Sequence, residues 1–212
     1  LNIILLSTVN KIGTGAFEGC AQLIHIELNE GLERIDGQAF QGCILLQRII
    51  FPSTVKMIGS SAFEGCTKLL HIGLNKGLER MEHDTFNRCV SLQNIILPST
   101  VKTIGSSAFY GCRKLIHVEL NKGLEMIEHH TFNRCFSLQN IKLPSSTVEI
   151  GSCAFEGCAK LIHLVQRNEG LEGIEDGAFK GCTSLEKIIL PSTVKTIGTS
   201  AFHGCAKLTH IG

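Results

Sequence analysis

Nine times along this 212-residue chain a Phe is followed by Cys three residues on and by Leu six residues on, from Phe17-Cys20-Leu23 to Phe202-Cys205-Leu208. Seven of the eight intervals between these Phe are 23 residues; the eighth, Phe155 to Phe179, is 24. A fixed period of this size marks a solenoid, because one coil cannot bury its apolar face until a neighbour stacks on it. Residues 1–212 therefore read as one domain of about nine 23-residue coils. Ser7-Thr8-Val9 echoes Ser99-Thr100-Val101, so the chain starts and stops in mid-repeat. Both ends are expected to be incomplete, without caps, and part of something longer.

Residues 92–112 show one coil. Leu92, Ile95 and Leu97 alternate as a short strand, with Ile95 and Leu97 inward and Asn94 and Ile96 outward. Pro98 cannot donate to a ladder and ends the strand. Val101 and Ile104 return to the core from a second extended piece, Gly105 turns the chain, and Ala108, Phe109 and Cys112 are predicted to pack on a short helical turn. Equivalent residues of neighbouring coils should lie about 4.8 Å apart and form ladders.

The resulting pattern, Leu-x-x-Ile-x-Leu-Pro-x-x-Val-x-x-Ile-Gly-x-x-Ala-Phe-x-x-Cys, resembles the BspA-type class of leucine-rich repeats over essentially the whole chain. The Leu-x-x-Ile-x-Leu strand is shared with ordinary leucine-rich repeats, whereas the Ala-Phe-x-x-Cys turn is particular to this class. The resemblance implies a mostly β leucine-rich-repeat solenoid. A curved parallel sheet would form the concave face, with short extended segments and helical turns on the convex face. It also implies adhesion or protein binding, often on microbial surfaces.

The coils alternate. One kind reads Pro-Ser-Thr-Val-Lys (Pro52, Pro98, Pro191), the other Asn-x-Gly-Leu-Glu (Asn29, Asn75, Asn121, Asn168), so the true unit is a pair of about 46 residues. A charge column follows, Glu33-Lys56-Glu79-Lys102-Glu125, in which neighbours should attract across the ladder. Two irregularities are expected. Ser145-Ser146-Thr147-Val148 slips the apolar residue by one position, and the extra residue between Leu161 and Leu171 should bulge at 165–167.

The 20 basic and 19 acidic residues leave no basic excess for a nucleic-acid partner, and apolar runs such as Ile3 to Leu6 are too short to enter a membrane. Nine of the ten cysteines follow the repeat one turn after a Phe and read as packed, reduced thiols; Cys153 is the extra one, where sister coils carry Ser61 and Ser107. With no Cys-x-x-Cys pair, no metal site or cofactor is expected. His129-His130 lacks the spacing of a zinc-protease helix, and Ser-x-x-Lys recurs at Ser53, Ser99 and Ser192 as turn geometry. No catalytic residues are expected. Unbridged cysteines point to a reducing compartment and the family habit to a cell surface, so the compartment stays open.

The outward strand positions then carry the functional reading. One column runs His25, Arg48, His71, Asn94, His117, Asn140, His163, Lys187, His210, and the next contributes Glu27, Ile50, Ile96, Glu119, Lys142 and Ile189. Polar hydrogen-bonders beside exposed Ile suit a protein partner. Five histidines in one column would also make that face sensitive to pH. Two readings follow: a non-catalytic recognition module of adhesion type that uses this face, or a scaffold subunit docked in a larger assembly.

Overall fold

The computed structural model describes residues 1–165 and 169–211, and these form a right-through stack of parallel coils. Among the described residues there are nineteen short strands and no helix, and so none long and apolar enough to cross a membrane. The odd-numbered strands make one row: β1 (Asn2–Ile4), β3 (His25–Glu27), β5 (Arg48–Ile50), β7 (His71–Gly73), β9 (Asn94–Ile96), β11 (His117–Glu119), β13 (Asn140–Lys142), β15 (His163–Val165), β17 (Lys187–Ile188) and β19 (His210–Ile211). The even-numbered strands, two residues each, make a second: β2 (Lys11–Ile12), β4 (Arg34–Ile35), β6 (Met57–Ile58), β8 (Arg80–Met81), β10 (Thr103–Ile104), β12 (Met126–Ile127), β14 (Glu149–Ile150), β16 (Gly173–Ile174) and β18 (Thr196–Ile197). All pairings are parallel, each strand beside the equivalent strand one coil away.

The strand alternation follows the sequence expectation. Ile26, Ile49, Ile95, Val118, Ile141 and Ile188 are buried between exposed neighbours, Leu164 is buried, Ile72 is half-buried, and Ile211 in the last strand is exposed. Behind them the Phe rings stack coil on coil, with centroids 5.0 to 5.7 Å apart and planes within 16° of parallel. Offset stacking at this separation adds about 0.5–1.5 kcal/mol per pair beyond the area buried.

The convex segments are turns, not the helical turns that the sequence suggested. In each of them two residues have positive φ, as at Ser61 (φ 54°) and Gly65 (φ 70°), which breaks any helical continuation. The N–H groups then divide. Those of Ser61, Phe63 and Gly65 donate to His83, Thr85 and Asn87 of the next coil at 2.8–2.9 Å, while those of Glu64 and Cys66 donate three residues back. The turns are thus a third ladder.

The cysteines lock into it. From Cys43 to Cys205 each repeat-position thiol donates to the Phe carbonyl of the coil before, at 3.1 to 3.3 Å, and all ten cysteines are unbridged. Burial pushes the Cys43 thiol up to about 11 and Cys112 to about 12, and raises the thiols of Cys66, Cys89, Cys135, Cys158 and Cys182 well above their ordinary value. Cys153 is partly exposed as expected, but Cys20 and Cys205 in the end coils are too.

At the first irregularity Thr147 takes the buried place that Val55 and Val101 hold elsewhere, and Val148 points out in the Lys position. The expected bulge at 165–167 falls largely outside the described residues; β15 stays paired with β13 through Lys142↔Val165. The charge column needs correction: none of Glu33, Lys56, Glu79, Lys102 or Glu125 is in an ion pair among the described residues, and all five are exposed to solvent. The same column does pair farther on, where Lys195 Nζ lies 2.7 Å from an exposed Glu172 carboxylate.

Candidate protein-binding face

The doubled sequence period reappears in the main chain of the odd-numbered row. Junctions from a Pro-type coil to an Asn-type coil are fully paired: β1 meets β3, β5 meets β7 and β9 meets β11 over three residues each. The reverse junctions are looser. β3 meets β5 only at His25↔Arg48, β11 meets β13 over two residues, and β7 and β9 belong to different sheets.

Two sets of hydrogen bonds account for this. At the tight junctions the N–H groups of Leu5, Phe51 and Leu97 donate to Glu27, Gly73 and Glu119 at 2.9 to 3.0 Å, whereas Leu28, Leu74 and Leu120 make no such bond to the next coil. The Asn carboxamides pull the other way. Asn75 donates to Val55, and Asn121 to Pro98 and Val101, of the coil before, while their Oδ1 atoms accept from Gly77 and Gly123. The turns at Asn29, Asn75 and Asn121 are tied to their predecessors, and their strand ends part from their successors.

The partings open as clefts on the strand face. One of about 340 Å³ lies between β3 and β5, one of about 720 Å³ between β7 and β9, and one of about 860 Å³ between β11 and β13. Each has a histidine on its first wall (His25, His71, His117) and Arg48, Asn94 or Asn140 on its second. Ile50 lines the first two clefts, Ile96 the second, and Lys142 the third. All fifteen residues singled out from the sequence are exposed, Glu27, Glu119, His163, Lys187, Ile189 and His210 included. The structure brings eleven of them to three clefts, with His163, Lys187, Ile189 and His210 beyond. The clefts follow the Asn-type coils, but the residues at their walls gave no sign of the missing main-chain bond.

A second grouping lies on the convex turns. His130, Cys153 and Glu156 each direct a donor atom into one spot, the three atoms within 4.8 Å of one another. Asn133 Nδ2 is 3.1 Å from both His130 Nδ1 and Glu156 Oε2, and Lys180 Nζ is 3.1 Å from Glu156 Oε1. Burial, then a hydrogen bond to Glu156, pushes the Cys153 thiol above its ordinary value. Burial also raises the Glu156 carboxyl, but hydrogen bonds from Lys180, Cys153 and Asn133 outweigh it and hold it low. Reading along the chain hides this cluster. Reading down the repeat columns reveals it, because His130 and Cys153 occupy the same position in successive coils.

The family profile of the BspA type leucine rich repeat region matches as six copies over residues 1–116 and 102–212. This chain belongs to the BspA-type leucine-rich repeat family. Among solved structures the repeat protein resembles the T. pallidum leucine rich repeat protein TpLRR, at 30% identity over 88% of this chain and 78% of that one, with a TM-score of 0.68. It also resembles a leucine rich cell surface protein from Faecalibacterium prausnitzii A2-165 (27% identity, 96% and 69% covered, TM-score 0.56). The pneumococcal vaccine antigen PcpA is a third (25% identity, 99% and 61% covered, TM-score 0.64). No curated protein matches the chain. Leucine-rich repeats of this kind are in general protein-binding modules and typically not enzymes.

Proposed function

We propose that this BspA-type repeat is a non-catalytic recognition module of adhesion type that holds an extended stretch of a protein partner along its strand face. The observation that carries the reading is the recurrence of clefts at three alternate coil junctions. Two strand spacings are about 9.6 Å. Three residues of an extended chain span about 10 Å, and one polyproline II turn about 9.3 Å. A partner crossing the strands would therefore set every third side chain over a cleft, between a histidine and an Arg or Asn. The exposed Ile50 and Ile96 supply apolar contact, at 49% and 60% exposure. The uneven cleft sizes make the three positions unequal and so give direction to the bound segment.

A random-peptide library panned against the chain tests this. Selected peptides should share a side-chain preference that recurs every third residue, and lose binding to a variant carrying Arg48→Glu and His117→Glu. A control with Arg88→Glu on the convex turns should keep it. Peptides without that period, or retained by the strand-face variant and lost in the control, would overturn the reading and favour the scaffold alternative.

A further inference from the structure

We propose that His130, Cys153 and Glu156 form a zinc site that clamps two successive coils together at their convex turns. Imidazole nitrogen, thiolate sulfur and carboxylate oxygen are the three donor types zinc takes, and three protein ligands leave the fourth tetrahedral position to water. The three donor atoms already converge within 4.8 Å of one another.

The backbone fixes where these side chains leave the chain. His130 and Cys153 both sit at the first positive-φ position of their turns (φ 56° and 54°) and are joined by the turn ladder, while Glu156 accompanies Cys153 within one turn. No other pair of neighbouring coils carries two such donors there; the remaining occupants are Gly15, Gln38, Ser61, Asp84, Ser107, Gly177 and Ser200. On the far side Gly177 leaves room, since a Cβ on it would lie 3.1 Å from the Cys153 sulfur. Asn133, 4% exposed, supplies the supporting contact that holds a ligand carboxylate, through its bond to Glu156 Oε2.

Three groups stand against an incoming cation. Asn133 Nδ2 also lies 3.1 Å from His130 Nδ1, so the imidazole must turn from that contact or bind through Nε2. Lys180 is paired with Glu156 Oε1, but it is a half-exposed, flexible chain that can swing into solvent. The thiol of Cys153 must lose its proton, which passes to water as the sulfur–metal bond forms; a coordinating ion favours this loss outright.

Titration of the reduced, full-length chain with Co²⁺, a visible stand-in for Zn²⁺, tests the site. One equivalent should give a thiolate-to-cobalt charge-transfer band that Zn²⁺ bleaches, and Zn²⁺ should raise the melting temperature by mass action. Cys153→Ser should abolish both; it installs the residue that sister coils carry at Ser61 and Ser107, so folding is preserved. His130→Asn should weaken binding, and Asn133→Ala should do so by about 10- to 100-fold. Lys180→Gln should tighten it, the opposite of a structural defect. A missing band at saturating Co²⁺, a band that survives Cys153→Ser but not Cys20→Ser, or an affinity unmoved by Lys180→Gln would each overturn the assignment.

Discussion

Along the convex turns every junction between coils carries the same three main-chain hydrogen bonds and the same pair of stacked rings, whereas along the strand face the junctions alternate between paired and parted. One repeat thus serves two ends. The turn column is where coils are held in register, and because it holds them everywhere, the strand face can loosen at every second junction without the stack coming apart. Uniformity on one side permits irregularity on the other.

The largest effect that would break this comparison is alkaline. With each buried thiol raised in the folded state, both states keep the proton below about pH 8.5; above it only the unfolded chain gives the proton up. Stability is therefore intact at neutral pH and falls as pH rises toward the folded value, about 12 for Cys112. Each thiol removes about 1.4 kcal/mol per pH unit, and the seven buried ones together on the order of 10. Urea unfolding followed by circular dichroism, under reductant, should show collapse within the first units above pH 8.5. A stability curve flat to pH 10 would mean that the column is not sealed.

Next in size is Phe109→Ala. Removing a fully buried ring from the middle of the stack should lower stability by about 3–5 kcal/mol, against about 0.5 or less for Ile96→Ala on the strand face. A loss under about 1 kcal/mol for the Phe, well short of its usual cost, would erase the distinction between the two sides. Asn121→Ala sharpens the account of the partings. It strips the Pro98 and Val101 carbonyls of a buried partner and should cost about 1–3 kcal/mol in denaturant unfolding. Hydrogen exchange at Leu120 should slow in the variant if the Asn is what draws its strand end away. The smallest effect belongs to His71→Gln with His117→Gln. Stability should move by about 0.5 kcal/mol or less, while peptide binding should weaken, since both imidazoles line the clefts.

The ladders of Ile, Phe and Cys were legible in the sequence because each is one residue type recurring at one spacing, and the outward residues followed by alternation. The turn geometry was not. Positive φ is carried at its first position by Gly, Gln, Ser, Asp, His and Cys alike, so composition gives no sign of it. The charge column misled for the opposite reason: Glu33 and Lys56 alternate as an ion-pair ladder would, yet spacing says nothing of whether two outward chains turn toward each other. The clefts were missed because Leu28 and Leu74 look like Leu5 and Leu97, and the Asn that follows the former shows its pull only through the acceptors it reaches.

Coil number in this architecture has parity. Gly105 of a Pro-type coil lies so close to the coil before it that a Cβ would come within 2.4 Å of the His83 nitrogen, and Asn-type coils carry Glu82 or Glu128 at the same position. An odd insertion of 23 residues would set like against like, bringing an acidic side chain to a seat that tolerates none and throwing every cleft beyond it out of phase. A lineage of such chains can lengthen or shorten freely only in 46-residue cassettes. Each cassette adds one junction from an Asn-type to a Pro-type coil, so the reach of the face grows by whole steps while the rest of the molecule stays as it was.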